Sequence, residues 1–480
     1  MTPLMVAATL LVYIFTLLAS AYYSSRKARN EDYFVAGRKL RWHVAALAMV
    51  AAAMSGITFV SVPGSVAADS FSYMQMTLGF TVGQMVIAFV LIPLFYRLKV
   101  VSLYEYLEMR FGVVSHKTGA WFFFVSKVTI AALRLYIMCV TLQILLFDHY
   151  SIPFVVNVAL MVGVVWLATR RGGVKSLVWT DSLKSLCLVG SLVLTIIYIV
   201  QALGWSGAEM VANVRESSYS QVFFFDDPDS PRYFWKMFLA GVFTLVAMTG
   251  LDQDMMQCNL SCVDYRHAQK NIVVTALCQI VVIALFLILG VLLYEYAAAQ
   301  LIELPAKSDQ LFSLVAVEGG LPAFVGVLFV LGLTASTFAS TASSLTALTT
   351  SCTIDLLGGK KRSEERLTSL RLWVHSLIAI VIGVLIVVVG SLSNQSIINV
   401  LFKFVGYTYG PILGMFTFGM LTSWRVRDGG VWIVAIGSLL LSIVGEWVAM
   451  HYFGYKVGFE LLIYNALITF VGMMAIRKRI

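Results

Sequence analysis

Apolar stretches of about 20 residues, long enough to cross the roughly 30 Å hydrocarbon core of a bilayer as a helix, recur from one end of this chain to the other. In hydrocarbon each helix satisfies its own backbone, so runs of this length reduce the fold to a bundle of spanning helices. The composition agrees, since 60% of the 480 residues are hydrophobic and 12% are charged, against about 25% charge in an average soluble domain. A soluble globule is excluded. The hydropathy predicts thirteen spans, at 2–22, 42–68, 73–96, 118–147, 152–169, 178–202, 233–254, 270–297, 323–353, 372–391, 396–420, 429–450 and 457–476.

A net charge of +9 raises the question of a nucleic-acid partner, and the position of the charge answers it. If the N-terminus is outside, every second loop faces the cytoplasm. Those loops and the C-terminal tail hold 25 of the 34 Lys and Arg residues, whereas the opposite loops with their helix edges hold five. Basic residues collect on the cytoplasmic side of membrane proteins, so the excess follows topology and implies no nucleic acid. The expected location is the cell inner (plasma) membrane, with the N-terminus outside and the C-terminus cytoplasmic. Ala19-Ser20-Ala21 resembles a signal-peptidase site, but no basic region precedes it, which favours a retained first helix. Six cysteines lack a paired CxxC arrangement and indicate neither a disulfide framework nor a zinc cluster.

Breaks in the apolar runs point to sites, because unwound backbone at membrane depth is tolerated where it is buried in protein or lines a wet cavity. Ala51 to Thr58 places small, hydroxyl and glycine residues in the middle of span two, and Thr249-Gly250-Leu251-Asp252-Gln253-Asp254 ends span seven on a glycine and two carboxylates. Ordinary small-residue helix packing is the alternative for either break alone. With span one set aside, the breaks open two five-helix units, 42–202 and 233–420, as in inverted-repeat transporters. The whole chain, 1–480, is then one transporter domain, with an extra N-terminal helix at 2–22 and two extra C-terminal helices at 429–476.

Span nine is dense in hydroxyls, from Thr334, Ser336 and Ser340 to Ser343 and Thr353, and these supply the hard oxygen ligands that a small cation needs. Asp181 in span six is a second candidate, unless it pairs with Lys184 one turn on. Arg134 lies in span four, where Lys127 is the other basic residue and cannot neutralise it. It either faces a wet cavity and holds an anion in two parallel hydrogen bonds, or caps carbonyls of a broken helix. Glu446 and Glu460, in the last two spans, are expected at the bundle surface or the headgroups.

Seven stretches in order resemble the sodium/solute symporter family, which includes proline, sugar, monocarboxylate, vitamin and sialic-acid carriers. They are Asp32 to Arg38; Met54-Ser55-Gly56 with Pro63-Gly64; Ser102 to Leu107 before Arg110-Phe111-Gly112; Trp179-Thr180-Asp181; Gly250 to Asp254 with Gln257; Thr346-Ala347-Leu348 leading to Asp355; and Tyr407 to Pro411. The resemblance implies an all-α integral membrane protein with the leucine-transporter fold: a 5+5 inverted repeat, about 13 transmembrane helices and two broken core helices. It also implies a sodium site formed by Ala51, Met54, Ser336, Ala339 and Ser340. Ala339 departs from the family, which places a hydroxyl there. A second sodium site is implied at Asp181 and Ser343, with Ala342 where another hydroxyl is expected. Sialic-acid carriers also carry a basic residue in the helix of Arg134.

These readings lead to a secondary active transporter, not an enzyme, that moves a small organic solute with sodium by alternating access. No nucleophile elbow, P-loop or metalloprotease motif is present in the sequence. The expected solute carries a carboxylate, as sialic acid or another sugar acid does, and meets Ser55, Gly56, Thr58, Gln75, Arg134, Thr249 and Gln253. The expected partners are that solute, sodium ion and the lipid bilayer, with a monomeric transport unit. A proton-coupled carrier of the same fold, titrating Asp181, is one alternative; a sodium-coupled carrier of a neutral sugar or amino acid is another.

Overall fold

The computed structural model describes residues 1–25, 42, 46, 49, 56–98, 102–170, 174–260, 262–358, 363–392 and 397–478, except for the side chains of 24, 25, 174–186, 257, 258, 392, 397 and 399. The order of long helices follows the hydropathy: α1 (Pro3–Ser25), α2 (Gly56–Asp69), α3 (Tyr73–Val86), which runs through a π turn into α4 (Ile92–Leu98), and, after the short α5 (Glu105–Arg110), α6 (Val113–Leu142). They continue as α7 (Phe154–Thr169), α8 (Val174–Ala202), the short α9 (Gly207–Glu216), α10 (Phe234–Leu245), α11 (Gln253–Leu260) and α12 (Tyr265–Ala299). The short α13 (Leu311–Val317) precedes α14 (Ala323–Ser351), α15 (Glu364–Leu392), α16 (Ile397–Leu421), α17 (Val431–Phe453) and α18 (Leu461–Ala475). Each of the thirteen apolar stretches contains a described helix. Seven helical stretches among the described residues are long and apolar enough to cross a membrane, including Tyr265–Ala299 and Ala323–Leu356, and Phe154–Thr169, Phe234–Gly250 and Leu461–Ala475 are shorter apolar helices. The β pairing found among the described residues is one isolated bridge, Val426 to Arg477.

The fold is an all-α bundle in which small residues let helix backbones close on one another. At the crossing of α3 and α10, a Cβ on Gly79 would collide with the carbonyl of Phe238 and one on Gly241 with that of Met76, so contact this close requires glycine. Proline sets a different problem in α16. Pro411 has no N–H, which leaves the carbonyl of Tyr407 four residues earlier without its helical donor. Asn465 of α18 supplies one, its Nδ2 lying 2.8 Å from Tyr407 O and 3.1 Å from Gly406 O. α18 thereby repairs the helix it packs against.

Glu446 is partly exposed; it pairs with the exposed Lys403 at 2.6 Å and accepts the Tyr407 hydroxyl, tying α17 to α16. One polar feature differs from expectation. Glu460 is buried and accepts the Tyr455 hydroxyl at 2.8 Å. Outside the long helices, α9 turns 94° from α8. It is capped reciprocally, with Ser206 N donating to Glu209 at 2.7 Å and Glu209 N donating to Ser206 at 3.2 Å.

Candidate functional site

The second break appears where the glycine and carboxylates of span seven place it. Helix α10 closes on a π turn at Val246–Gly250, Leu251 leaves helical geometry with ψ of 8°, and α11 restarts at Gln253. Asp252 caps the restart by accepting the backbone N–H groups of Asp254 at 2.9 Å and Met255 at 3.3 Å. The Tyr104 hydroxyl donates to Leu251 O at 3.1 Å, so a carbonyl at the break also has a partner. The two carboxylates meet charge from elsewhere in the bundle. Lys127 of α6, 2% exposed, holds Asp252 at 2.8 Å and Asp254 at 2.9 Å. The Tyr409 hydroxyl of α16 donates to Asp252 at 2.7 Å, and the Ser343 hydroxyl of α14 donates to Asp254. One buried cluster thus pins the broken helix to α6, α14 and α16.

Arg134 stands two turns further along α6, about 10 Å from Lys127 at 1.5 Å per residue. It is 8% exposed, and its Nε has no hydrogen-bond partner among the described residues. The guanidinium borders a cavity of about 100 Å³, together with Thr58 of α2, Thr249 at the break, Met248, Tyr73 and Gln279. The amide of Gln279 is itself engaged, accepting from Gln84 at 2.9 Å. Of the expected solute ligands, Thr58, Arg134 and Thr249 share this cavity, and Gly56 is buried at the start of α2. Gln75 and Gln253 do not border it, and backbone groups explain why. Gln75 donates to Arg232 O at 2.9 Å and accepts from Phe224 N at 3.2 Å, which ties down the segment before α10, while Gln253 accepts from Leu103 N at 2.8 Å. Ser55 lies outside the described residues.

The expected cation ligands divide in the same way. Ala51 and Met54, and the side chain of Asp181, lie outside the described residues. Ser336, Ala339 and Ser340 are buried on α14. Ser340 donates its proton to Ser336 O at 2.8 Å, which leaves oxygen lone pairs of that hydroxyl free to meet a cation. Beside them is another hydroxyl of the span-nine cluster, outside the five residues expected at the sodium site. Thr337 Oγ1 is buried without a partner among the described residues, and it faces the first described residue after the break, where a Cβ on Gly56 would collide with it. Thr341 and Ser344, one and two turns on, carry buried hydroxyls in the same condition. Hard oxygen atoms are therefore available on α14 where α2 begins, and the donor set fits sodium. Ser343, expected at a second sodium site, is engaged by Asp254.

The model of the sodium:solute symporter family matches residues 33–437. This chain belongs to the sodium:solute symporter family. Sodium is the ion this symporter couples to. Its sequence is 26% identical over 446 residues to a sodium-coupled monocarboxylate transporter 2 of Danio rerio, covering 89% of this chain and 68% of that one. It is 25% identical over 452 residues to a sodium-dependent multivitamin transporter of Oryctolagus cuniculus, covering 92% and 69%. Its fold is similar to that of a Na+-coupled sialic acid symporter solved in a substrate-bound outward-open state, with a TM-score of 0.81, 20% identity and 99% of each chain covered. The leucine-transporter-like architecture expected of the symporter stands on that likeness.

Proposed function

We propose that this symporter carries a small carboxylate-bearing solute, one sodium ion with each molecule, by alternating access between repeats spanning 42–202 and 233–420. The observation that carries the proposal is Arg134: a guanidinium more than nine-tenths buried, its Nε without a partner among the described residues, bordering a cavity. A buried cation in a membrane span is costly unless an anion or water meets it. The planar fork of a guanidinium matches a carboxylate in two parallel hydrogen bonds. Thr58 and Thr249 border the same space and supply hydroxyls to the rest of the solute. Monocarboxylates are what several relatives at 24–26% identity are named for.

Size favours the smaller acid. The cavity of about 100 Å³ is below the roughly 300–1,000 Å³ of drug-sized ligand pockets, so a sugar acid such as sialic acid requires the bundle to open around it. Sodium joins Ser336 and Ser340 of α14 to Ala51 and Met54 of span two, which completes the solute pocket. The membrane is the plasma membrane, with the N-terminus outside, as the distribution of basic residues supports. The test is a thermal-shift screen of the purified symporter against monocarboxylates and sugar acids, in sodium and in choline. A short monocarboxylate is expected to raise Tm in sodium and to have little effect in choline. A shift of equal size in both salts, or a shift confined to neutral solutes, contradicts the proposal.

A further inference from the structure

The cluster at the broken helix contains two carboxylates, Asp252 and Asp254, and one ammonium, Lys127, whose Nζ lies 2.8 to 3.1 Å from three carboxylate oxygens. Among the described residues, the remaining groups that touch those carboxylates are neutral: the hydroxyls of Tyr409 and Ser343 and the backbone N–H groups of Asp254 and Met255. With the ammonium removed, Nζ leaves a space walled by carboxylate oxygens, with a phenol and a serine hydroxyl close by. These are hard oxygen ligands of the kind a small cation takes. Lys127 fills that space with a compact charge on a flexible stem, and the cluster is 2–11% exposed by side chain, so water cannot supply the missing charge cheaply. Ser343, the hydroxyl expected at a second sodium site, donates to Asp254 in this cluster.

We propose that the Lys127 ammonium is a tethered cation standing in the place of a second coupling ion, and that it holds this symporter at one sodium per transport cycle. The inference rests on the sodium-coupled reading above and adds a cause for its stoichiometry. Among the described residues the carboxylates' ion pairs are with Lys127 and not with Arg134, whose guanidinium borders the cavity. In the wild type the internal charge is present in every cycle and cannot be released, so it contributes nothing to the driving force. In its absence the two carboxylates recruit sodium from solution.

The test needs no solute. Thermal stability of the purified full chain is titrated with sodium chloride, and choline chloride holds the ionic strength constant. The wild type is expected to show one saturable phase with a Hill slope near one. Lys127→Met is expected to gain a second sodium-selective phase with a slope approaching two. Lys127→Met combined with Asp254→Asn, which removes one charge of each sign, is expected to return to a single phase. A Lys127→Met curve with the same slope and phase count as the wild type overturns the proposal. Should Lys127→Met be recovered poorly, its yield and monodispersity when extracted in sodium against choline decide instead: selective rescue by sodium supports the tethered cation, and equal loss in both salts overturns it. A wild type that sodium does not stabilise more than choline defeats the sodium-coupled reading itself, which keeps the two failures apart.

Discussion

Arg134 and Lys127 are two basic residues on one helix with opposite surroundings: the first borders open space, while the second is held between two carboxylates. The sequence singles out Arg134, because a guanidinium in an apolar span lacks a local partner. It does not reveal the partner of Lys127, which lies 125 residues away at Asp252. The signal was nonetheless present as charge balance, with a stranded cation in span four and stranded anions at the break in span seven. Replacing the fork of Arg134 with a point charge removes one of two charge-assisted hydrogen bonds to the solute, about 1.5–3 kcal/mol. Arg134→Lys is therefore expected to weaken solute affinity by roughly tenfold to a hundredfold, read from competition in the thermal-shift assay. The methyl ester of the true solute is expected to compete poorly with the free acid, and equal competition would show that Arg134 holds helix carbonyls instead. Ser340→Ala removes a hydroxyl oxygen whose proton is already committed to Ser336 O, so it is expected to raise the sodium concentration needed for half-maximal uptake severalfold. Unchanged uptake in low sodium by that variant would remove Ser340 from the ion site.

Spans are the most legible elements, because the bilayer dictates their length and polarity independently of how they pack. The break in span seven is legible for the same reason: Gly250 and two carboxylates have no place in a helix facing lipid. The restart as α11 and the cap by Asp252 are less so, since they depend on contacts from α6 and α16. The α9 helix was within reach through Ser206 and Glu209, which are spaced as a capping box, yet a short polar helix gives no hydropathy signal. Gln75 and Gln253 look like solute ligands in the sequence because they are polar and near the breaks; in the fold their amides close backbone gaps. The repair of α16 can be tested directly. Asn465→Ala leaves the Tyr407 carbonyl buried without a donor, at a cost of about 1–3 kcal/mol, and is expected to lower Tm. Adding Pro411→Ala restores the helical N–H and is expected to recover part of that loss, a coupling that a double-mutant cycle measures. Simple addition of the two effects would show that Asn465 acts by packing alone.

Across the whole molecule, the basic excess of the chain sorts by loop, and the broken helix links a buried charge cluster to an arginine-bordered cavity. Sodium entering down a potential of about 100 mV supplies about 2.3 kcal/mol before its concentration gradient is added, which corresponds to roughly fiftyfold accumulation of a solute carried with it. The symmetry of the two repeats is not legible residue by residue; it rests on the spacing of the breaks, and the first break lies largely outside the described residues. The most direct measurement is uptake of a radiolabelled short monocarboxylate, chosen from the thermal-shift screen, into proteoliposomes containing the purified symporter. With an inward sodium gradient and the interior negative, the account predicts accumulation above the external concentration, lost when sodium is replaced by choline and severely reduced in Arg134→Lys. Accumulation that persists without sodium and follows an imposed pH gradient would contradict it.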